Sequence, residues 1–272
     1  MKQLLFGLAL SFTLQSQAQH SMEKLWESDT TLAIPESVLP VAGQDLLYVS
    51  LIDGSPWEAD GRGHIAVLNR KGKIINSNWV SGLNAPKGMA LHNGKLYVAD
   101  MGEVVVIDVK RSAIEKRIPI AGAQGLNDIT LGANGAVYVS DSRLGKVHRI
   151  TNGNPELVIE GLKGVNGLLW TNNELYICTS NDVLKTKDGK QTQVVATMPS
   201  GGDGIEPVGN GDLITSIWGG VVYYITKDGT VTPMLDTREQ KKNTADIGYD
   251  AKERIIYVPT FMAKNVVAYK LK

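Results

Sequence analysis

Alternating apolar runs recur along this chain at a spacing near 40 residues: LLYVS (46–50), KLYVA (95–99), AVYVS (136–140), ELYIC (174–178), DLITS (212–216) and IIYVP (255–259). Their last residues are separated by steps of 49, 41, 38, 38 and 43 residues. Period-two alternation marks a strand with one face buried. A period near 40 with strands in every unit predicts a propeller rather than a solenoid of helices. No segment shows a sustained 3.6-residue apolar period. Unit three resolves into four strands: Asp128-Ile129-Thr130-Leu131, then AVYVSD, KVHRIT and PELVIEG, punctuated by the GANG, SRLG and NGN turns that hairpins require. Six such units predict an all-β, six-bladed β-propeller with four-stranded blades.

The two ends of the chain support closure of that ring. KLWESDTTLAIPES (24–37) reads like the end of one unit running into the next, as in PELVIEGLKGVNG (155–167). The N-terminal segment is therefore expected to add the outer strand of the last blade, beside VVAYKLK (266–272). Before it, Met1-Lys2-Gln3 and the apolar LLFGLALSFTL, with Ser16 and Ala18 at the cleavage spacing, read as a secretory signal peptide over residues 1–18. Residues 19–272 are left as a single propeller domain, exported to the periplasm or the extracellular space. The apolar run is too short for a stable membrane anchor. The single cysteine, Cys178, lies in a strand and allows no internal disulfide, so packing alone must hold the fold. Lys+Arg and Asp+Glu balance at 28 each, which gives no long-range attraction to nucleic acid or anionic membrane.

Counting back from the end of each repeated strand reaches the start of the strand before it. That count finds Glu36, Pro86, Asn127, Asn166, Asp203 and Asp246 at a separation of twelve to fourteen residues. In a propeller the innermost strands surround a central channel and start on one face, so these positions would form a ring at its mouth. Five of the six carry side-chain oxygen and none a thiolate or imidazole. Converging carboxylates repel unless a positive charge sits between them. A hard cation that takes six to eight oxygens fits such a ring, calcium first and another divalent cation second. Asn and Asp are also ordinary turn residues whose side chains bond the local backbone, and on the residues alone both readings stand.

At this ring the chain resembles the regucalcin/gluconolactonase/luciferin-regenerating-enzyme-like family of calcium-binding six-bladed propellers. Glu36 in PES matches that family's Gly-Glu-Ser context, Asn127 in LND its Asn-Asp element, Asn166 in VNGLLW its Asn-Gly-Leu element, and Asp203 in GGDGI its Asp-Gly element. The resemblance implies a calcium site made by Glu36, Asn127, Asn166 and Asp203, with Asp203 as acid/base in hydrolysis of a lactone or related ester. Two departures bear on substrate. An arginine frequent in the family's lactonases two residues before the Asn of the Asn-Asp element is Gly125 here, and the first motif continues Val-Leu-Pro.

Turns between second and third strands share a face with the inner-strand starts. The long segment LIDGSPWEADGRGH (51–64) is one of them, with Trp57 expected as a lid and His64 as an inward side chain; Trp218, past DLITS, is a second wall. Lys87, Asp128 and Asp246 complete the substrate-contact expectation. No G-x-S-x-G, H-E-x-x-H or P-loop pattern occurs, and the four histidines lack metal-like spacing. The expected partner is a small molecule, with no nucleic acid, no membrane insertion after signal cleavage, and a monomeric state. The first expectation is a metal-dependent hydrolase. The alternative is a non-catalytic propeller with structural calcium and a ligand- or protein-binding face; a strictosidine-synthase-like condensing enzyme is disfavoured because its catalytic Glu finds no place.

Overall fold

A computed structural model describes residues 20–272, and the signal-peptide expectation for residues 1–18 lies outside them. Each repeat folds into one antiparallel four-stranded sheet. Blade one comprises β2 (Pro35–Pro40), β3 (Leu47–Leu51), β4 (Gly63–Leu68) and β5 (Ile74–Leu83). Blade two comprises β6 (Pro86–His92), β7 (Lys95–Asp100), β8 (Glu103–Asp108) and β9 (Ala113–Pro119). Blade three is built from β10 (Leu126–Leu131), β11 (Val137–Asp141), β12 (Lys146–Thr151) and β13 (Asn154–Ile159). Blade four holds β14 (Leu168–Thr171), β15 (Glu174–Cys178), β16 (Asp182–Thr186) and β17 (Gln193–Thr197). Blade five holds β18 (Ile205–Gly209), β19 (Asp212–Ile217), β20 (Val221–Ile225) and β21 (Val231–Asp236).

The sixth blade closes the ring as the sequence predicts. Its strands β22 (Gly248–Asp250), β23 (Ile255–Pro259) and β24 (Val266–Leu271) are completed by β1 (Met22–Glu27), which pairs antiparallel with β24 from Met22↔Leu271 to Glu27↔Val267. Joining the two ends of the chain in one sheet clasps the last blade with the start of the chain and closes the ring without a covalent latch.

Burial explains the alternation. Each blade buries both faces of its middle strands against its neighbours, so six apolar clusters lie between the six adjacent pairs of blades. Cys178 belongs to the cluster between blades four and five, fully buried, and desolvation pushes its thiol up to about 12. It is core, as expected. A seventh small cluster, Ile52, Ala85, Ala245 and Phe261, underlies the channel mouth.

The innermost strands share one irregularity that positions the site. Pairing shifts by a residue between Pro35 and Ser37, between Pro86 and Met89, and between Leu126 and Ile129. A bulge of this kind bends the strand and re-aims a side chain. It also leaves the next N–H outside the ladder. In blades one and three a serine near the end of the second strand accepts it, Ser50 Oγ from Ser37 N–H at 3.0 Å and Ser140 Oγ from Asp128 N–H at 2.9 Å, and in blade five Ser216 Oγ accepts Gly204 N–H at 2.9 Å at the corresponding place.

Candidate functional site

The bulges decide which residues form the ring. In blades one to three, Pro35, Pro86 and Leu126 pair with Leu51, Asp100 and Asp141, which puts Glu36, Lys87 and Asn127 one step further at the mouth. In blades four to six, the residue donating its N–H to the last carbonyl of the second strand is Asn166 (to Cys178, 3.0 Å), Asp203 (to Ser216, 2.7 Å) and Ala245 (to Pro259, 3.0 Å). The ring is therefore Glu36, Lys87, Asn127, Asn166, Asp203 and Ala245. Two positions differ from the sequence count. Lys87 replaces Pro86, because β6 and β7 join through a tight Asn93-Gly94 turn, and Ala245 replaces Asp246, because the blade-six hairpin is longer. A fixed count slips wherever strand and turn lengths vary by one.

Glu36, Lys87, Asn127, Asn166 and Asp203 line one cavity of about 280 Å³ together with Pro56, Trp57, Trp218 and Phe261. Glu36 and Asp203 are 5% and 4% exposed. The Asn166 amide donates from Nδ2 to Asp203 Oδ1 at 2.8 Å, which turns its own Oδ1 away from that bond. Asn166 Oδ1 and Glu36 Oε2 are buried and have no hydrogen-bond partner. Orphaned buried oxygens are uncommon and call for an explanation such as an ion. Burial raises the Glu36 carboxyl well above the usual range, with Asp203 and Asp246 adding to the rise and Lys87 opposing it. Burial likewise pushes Asp203 up to about 7, against the Asn166 amide and Lys87. Two carboxylates and two amide oxygens facing one cavity are a donor set that a hard divalent cation fits. Among the described residues no three of His, Cys, Asp and Glu converge as a metal cluster.

Three mouth residues come from the turns between second and third strands. Trp57 stands in the long 51–64 segment, Trp218 follows β19, and Phe261 opens the single turn after β23. Trp218 and Phe261 meet edge-on at 5.5 Å between ring centroids. Trp57 is flanked by two cations, Lys87 Nζ at 4.6 Å and the Arg143 guanidinium at 5.1 Å from the ring centroid. Arg143 belongs to the corresponding turn of blade three, and its Cγ lies where a side chain on Gly125 would stand, 2.7 Å from a built Cβ. Sequence reasoning named neither Phe261 nor Arg143. The face rule that found Trp57 and Trp218 applies equally to TFMA and DSRLG and was the signal available.

Asp128, Asp246 and His64 do not line this cavity. Asp128 and Asp246 sit one residue deeper, in a second cavity of about 340 Å³ lined by the inner strands, with Glu206. Asp128 Oδ1 accepts Ile129 N–H and its Oδ2 accepts Leu168 N–H, both at 2.6 Å, stitching blade three to blade four. Ser37 Oγ donates to Asp246 Oδ2 at 2.5 Å and so ties blade one to blade six. The bulge explains the correction: consecutive residues leave it in different directions, so Asn127 goes to the mouth and Asp128 into the channel. Glycines make room for these carboxylates, since a Cβ on Gly88 or Gly204 would stand 2.4 Å from Asp128 Oδ1 or 2.5 Å from Asp246 Oδ1. His64, at the start of β4, instead has its Nδ1 3.1 Å from Arg62 O in the preceding loop.

No family profile and no curated protein matches this chain in sequence. Solved structures do match in shape. A streptogramin B lyase superposes with a TM-score of 0.67 at 13% identity, covering 93% of this chain and 98% of the other. A candidate gluconolactonase gives 0.69 at 16% identity over 94% and 93%, and the virginiamycin B lyase of Staphylococcus aureus gives 0.68 at 14% over 93% and 100%. At such identities the likeness establishes a six-bladed propeller shared by proteins of different chemistry, and what this one does must be argued from its own mouth residues.

Proposed function

We propose that this protein is a calcium-dependent hydrolase of a lactone or related ester, acting at the channel mouth. The observation that carries the reading is the pair of buried, unpartnered oxygens, Glu36 Oε2 and Asn166 Oδ1, beside Asp203 in an aromatic-walled cavity. Glu36, Asn127, Asn166 and Asp203 would hold the ion. Calcium, when bound, supplies the positive charge that polarises an acyl carbonyl. Asp203 is the group suited to take a proton from water, whose hydroxyl adds to the acyl carbon. The acyl C–O bond then breaks and the same proton passes to the leaving oxygen, giving an acid and an alcohol, both on one molecule when the substrate is a lactone. Asn166 fixes the Asp203 carboxylate through its 2.8 Å bond, and Trp57, Trp218 and Phe261 wall the cavity. A site with only two carboxylates suits the weak end of calcium affinities.

One observation favours a second reading. Asp203 Oδ1 already accepts the Asn166 amide, and coordination would engage the carboxylate further, leaving less of it free as a base. In that case the calcium is structural and the mouth binds a ligand without turnover. The test is calorimetric titration of calcium into chelator-stripped protein, followed by a panel of lactones and esters with and without metal. Saturable binding with metal-dependent turnover supports the hydrolase; binding without turnover supports the ligand-binding propeller. Absence of binding removes both and returns the ring to turn chemistry.

A further inference from the structure

Lys87 is the ring member that a calcium site does not need. It is 2% exposed and sits at the same bulge position as Glu36 and Asn127. Its ammonium lines the mouth cavity, donating to Pro56 O at 3.0 Å and, more weakly, to Ala85 O at 3.5 Å. An ammonium has three donors, so one remains beyond these two carbonyls, and the Trp57 ring, 4.6 Å from Nζ, is a further neighbour of the charge. Lys87 forms no salt bridge among the described residues, although Glu36 and Asp203 share the cavity and their charges act on it. A buried ammonium costs several kcal/mol unless compensated, and a methionine would fill the same space without that cost.

The cavity therefore holds a buried carboxylate with an orphaned oxygen and a buried ammonium with a spare donor, and the two do not bond each other. Such a pair leaves room for two guests of opposite sign, a cation beside Glu36 and an anion beside Lys87. Charge counting agrees. A divalent cation cancels the formal charges of Glu36 and Asp203, and the ammonium then leaves the site with one net positive charge. Arg143 adds a second at the rim, held over the Trp57 ring. The remaining walls, Pro56, Trp57, Trp218 and Phe261, are apolar.

We propose that the molecule bound at the mouth carries a carboxylate that pairs with Lys87, so that the lactone or ester is an anionic one with an apolar or aromatic body. This rests on the calcium reading of the same cavity. Lys87 selects the charge of the substrate, the ion takes its carbonyl, and the aromatic walls take its carbon skeleton. Because the two guests attract each other, each raises the other's affinity by the same factor.

The test uses matched acid and amide probes on calcium-saturated protein: acetate with acetamide, benzoate with benzamide, and indole-3-acetate with indole-3-acetamide. Calorimetry is expected to show at least one pair in which the acid binds about tenfold or more tightly than its amide, and the same acid is expected to tighten calcium binding. Lys87→Met is expected to erase the preference while retaining calcium binding and the native circular dichroism spectrum; Lys87→Arg is expected to keep it. Equal binding of acid and amide in every pair, or an undiminished preference in Lys87→Met, overturns the proposal. Calcium binding without acid preference overturns it alone, whereas failure of calcium to bind overturns the metal reading and this inference with it.

Discussion

The two levels of the central channel contain similar residues in different states. At the mouth, Glu36 and Asn166 each keep a buried oxygen without a partner. One residue deeper, Asp128 is satisfied by two main-chain N–H groups and Asp246 accepts the Ser37 hydroxyl; Glu206 lines the same deeper cavity. Desolvation raises all of these carboxyls, to about 8 in Glu206. Burial and a raised proton affinity therefore do not separate a binding site from a structural staple. The direction of the free oxygens does, because the mouth oxygens without a partner face one cavity while both oxygens of Asp128 are taken up by main-chain N–H groups.

The sharpest way to break this contrast is to remove one carboxylate from each level. Asp203→Ala is expected to weaken calcium binding by about 100-fold or more, equivalent to roughly 2.7 kcal/mol, with the metal-free fold intact. Glu36→Gln should lose about tenfold. Asp128→Ala should change calcium affinity by no more than about threefold. It should instead lower stability by about 2–5 kcal/mol, because the N–H groups of Ile129 and Leu168 lose their acceptor in a buried place. Calorimetry and denaturant unfolding on the three variants decide the matter, and a large calcium loss in Asp128→Ala would erase the distinction between the levels.

The pH dependence of metal-free protein sharpens it further. A carboxyl whose proton affinity is raised by folding stabilises the native state below its unfolded pKa and loses that contribution as pH rises through the folded value. For Asp203 the window runs from 3.8 to about 7. The melting temperature of metal-free protein should therefore fall between about pH 4 and about pH 7, and the gain from calcium should be larger at the higher pH. Asp203→Asn should flatten part of the fall; an identical slope in that variant would show that the deeper carboxyls account for all of it. The smallest expected effect is at the rim. Trp57→Ala should raise KM about threefold to tenfold on whichever substrate turns over, with calcium affinity nearly unchanged, since the ring only walls the cavity.

Much of this was legible without coordinates because a propeller repeats itself. Six alternating strands at near-constant spacing are enough to specify blades, and the likeness of 24–37 to 155–167 predicted the closing strand. Glu36, Asn127, Asn166 and Asp203 were found by frame and do converge on one cavity. The frame failed by one residue at Pro86 and Asp246, where hairpin lengths change and the bulge is silent in composition. Arg143 was missed for a different reason. Gly125 looked like a missing arginine along the chain, yet the alkyl stem of Arg143 from another turn fills the space a side chain there would take.

Sequence by itself determined the blade count, the closure and the residue types available to the mouth, because alternation and period are local and additive along a chain. Tertiary structure alone decided which member of each adjacent pair faces the mouth. Asn127 and Asp128 are neighbours in sequence and line different cavities, since a one-residue bulge redirects successive side chains. It also decided that Lys87 stands beside Glu36 without bonding it, a relation between blades that no count within one blade contains.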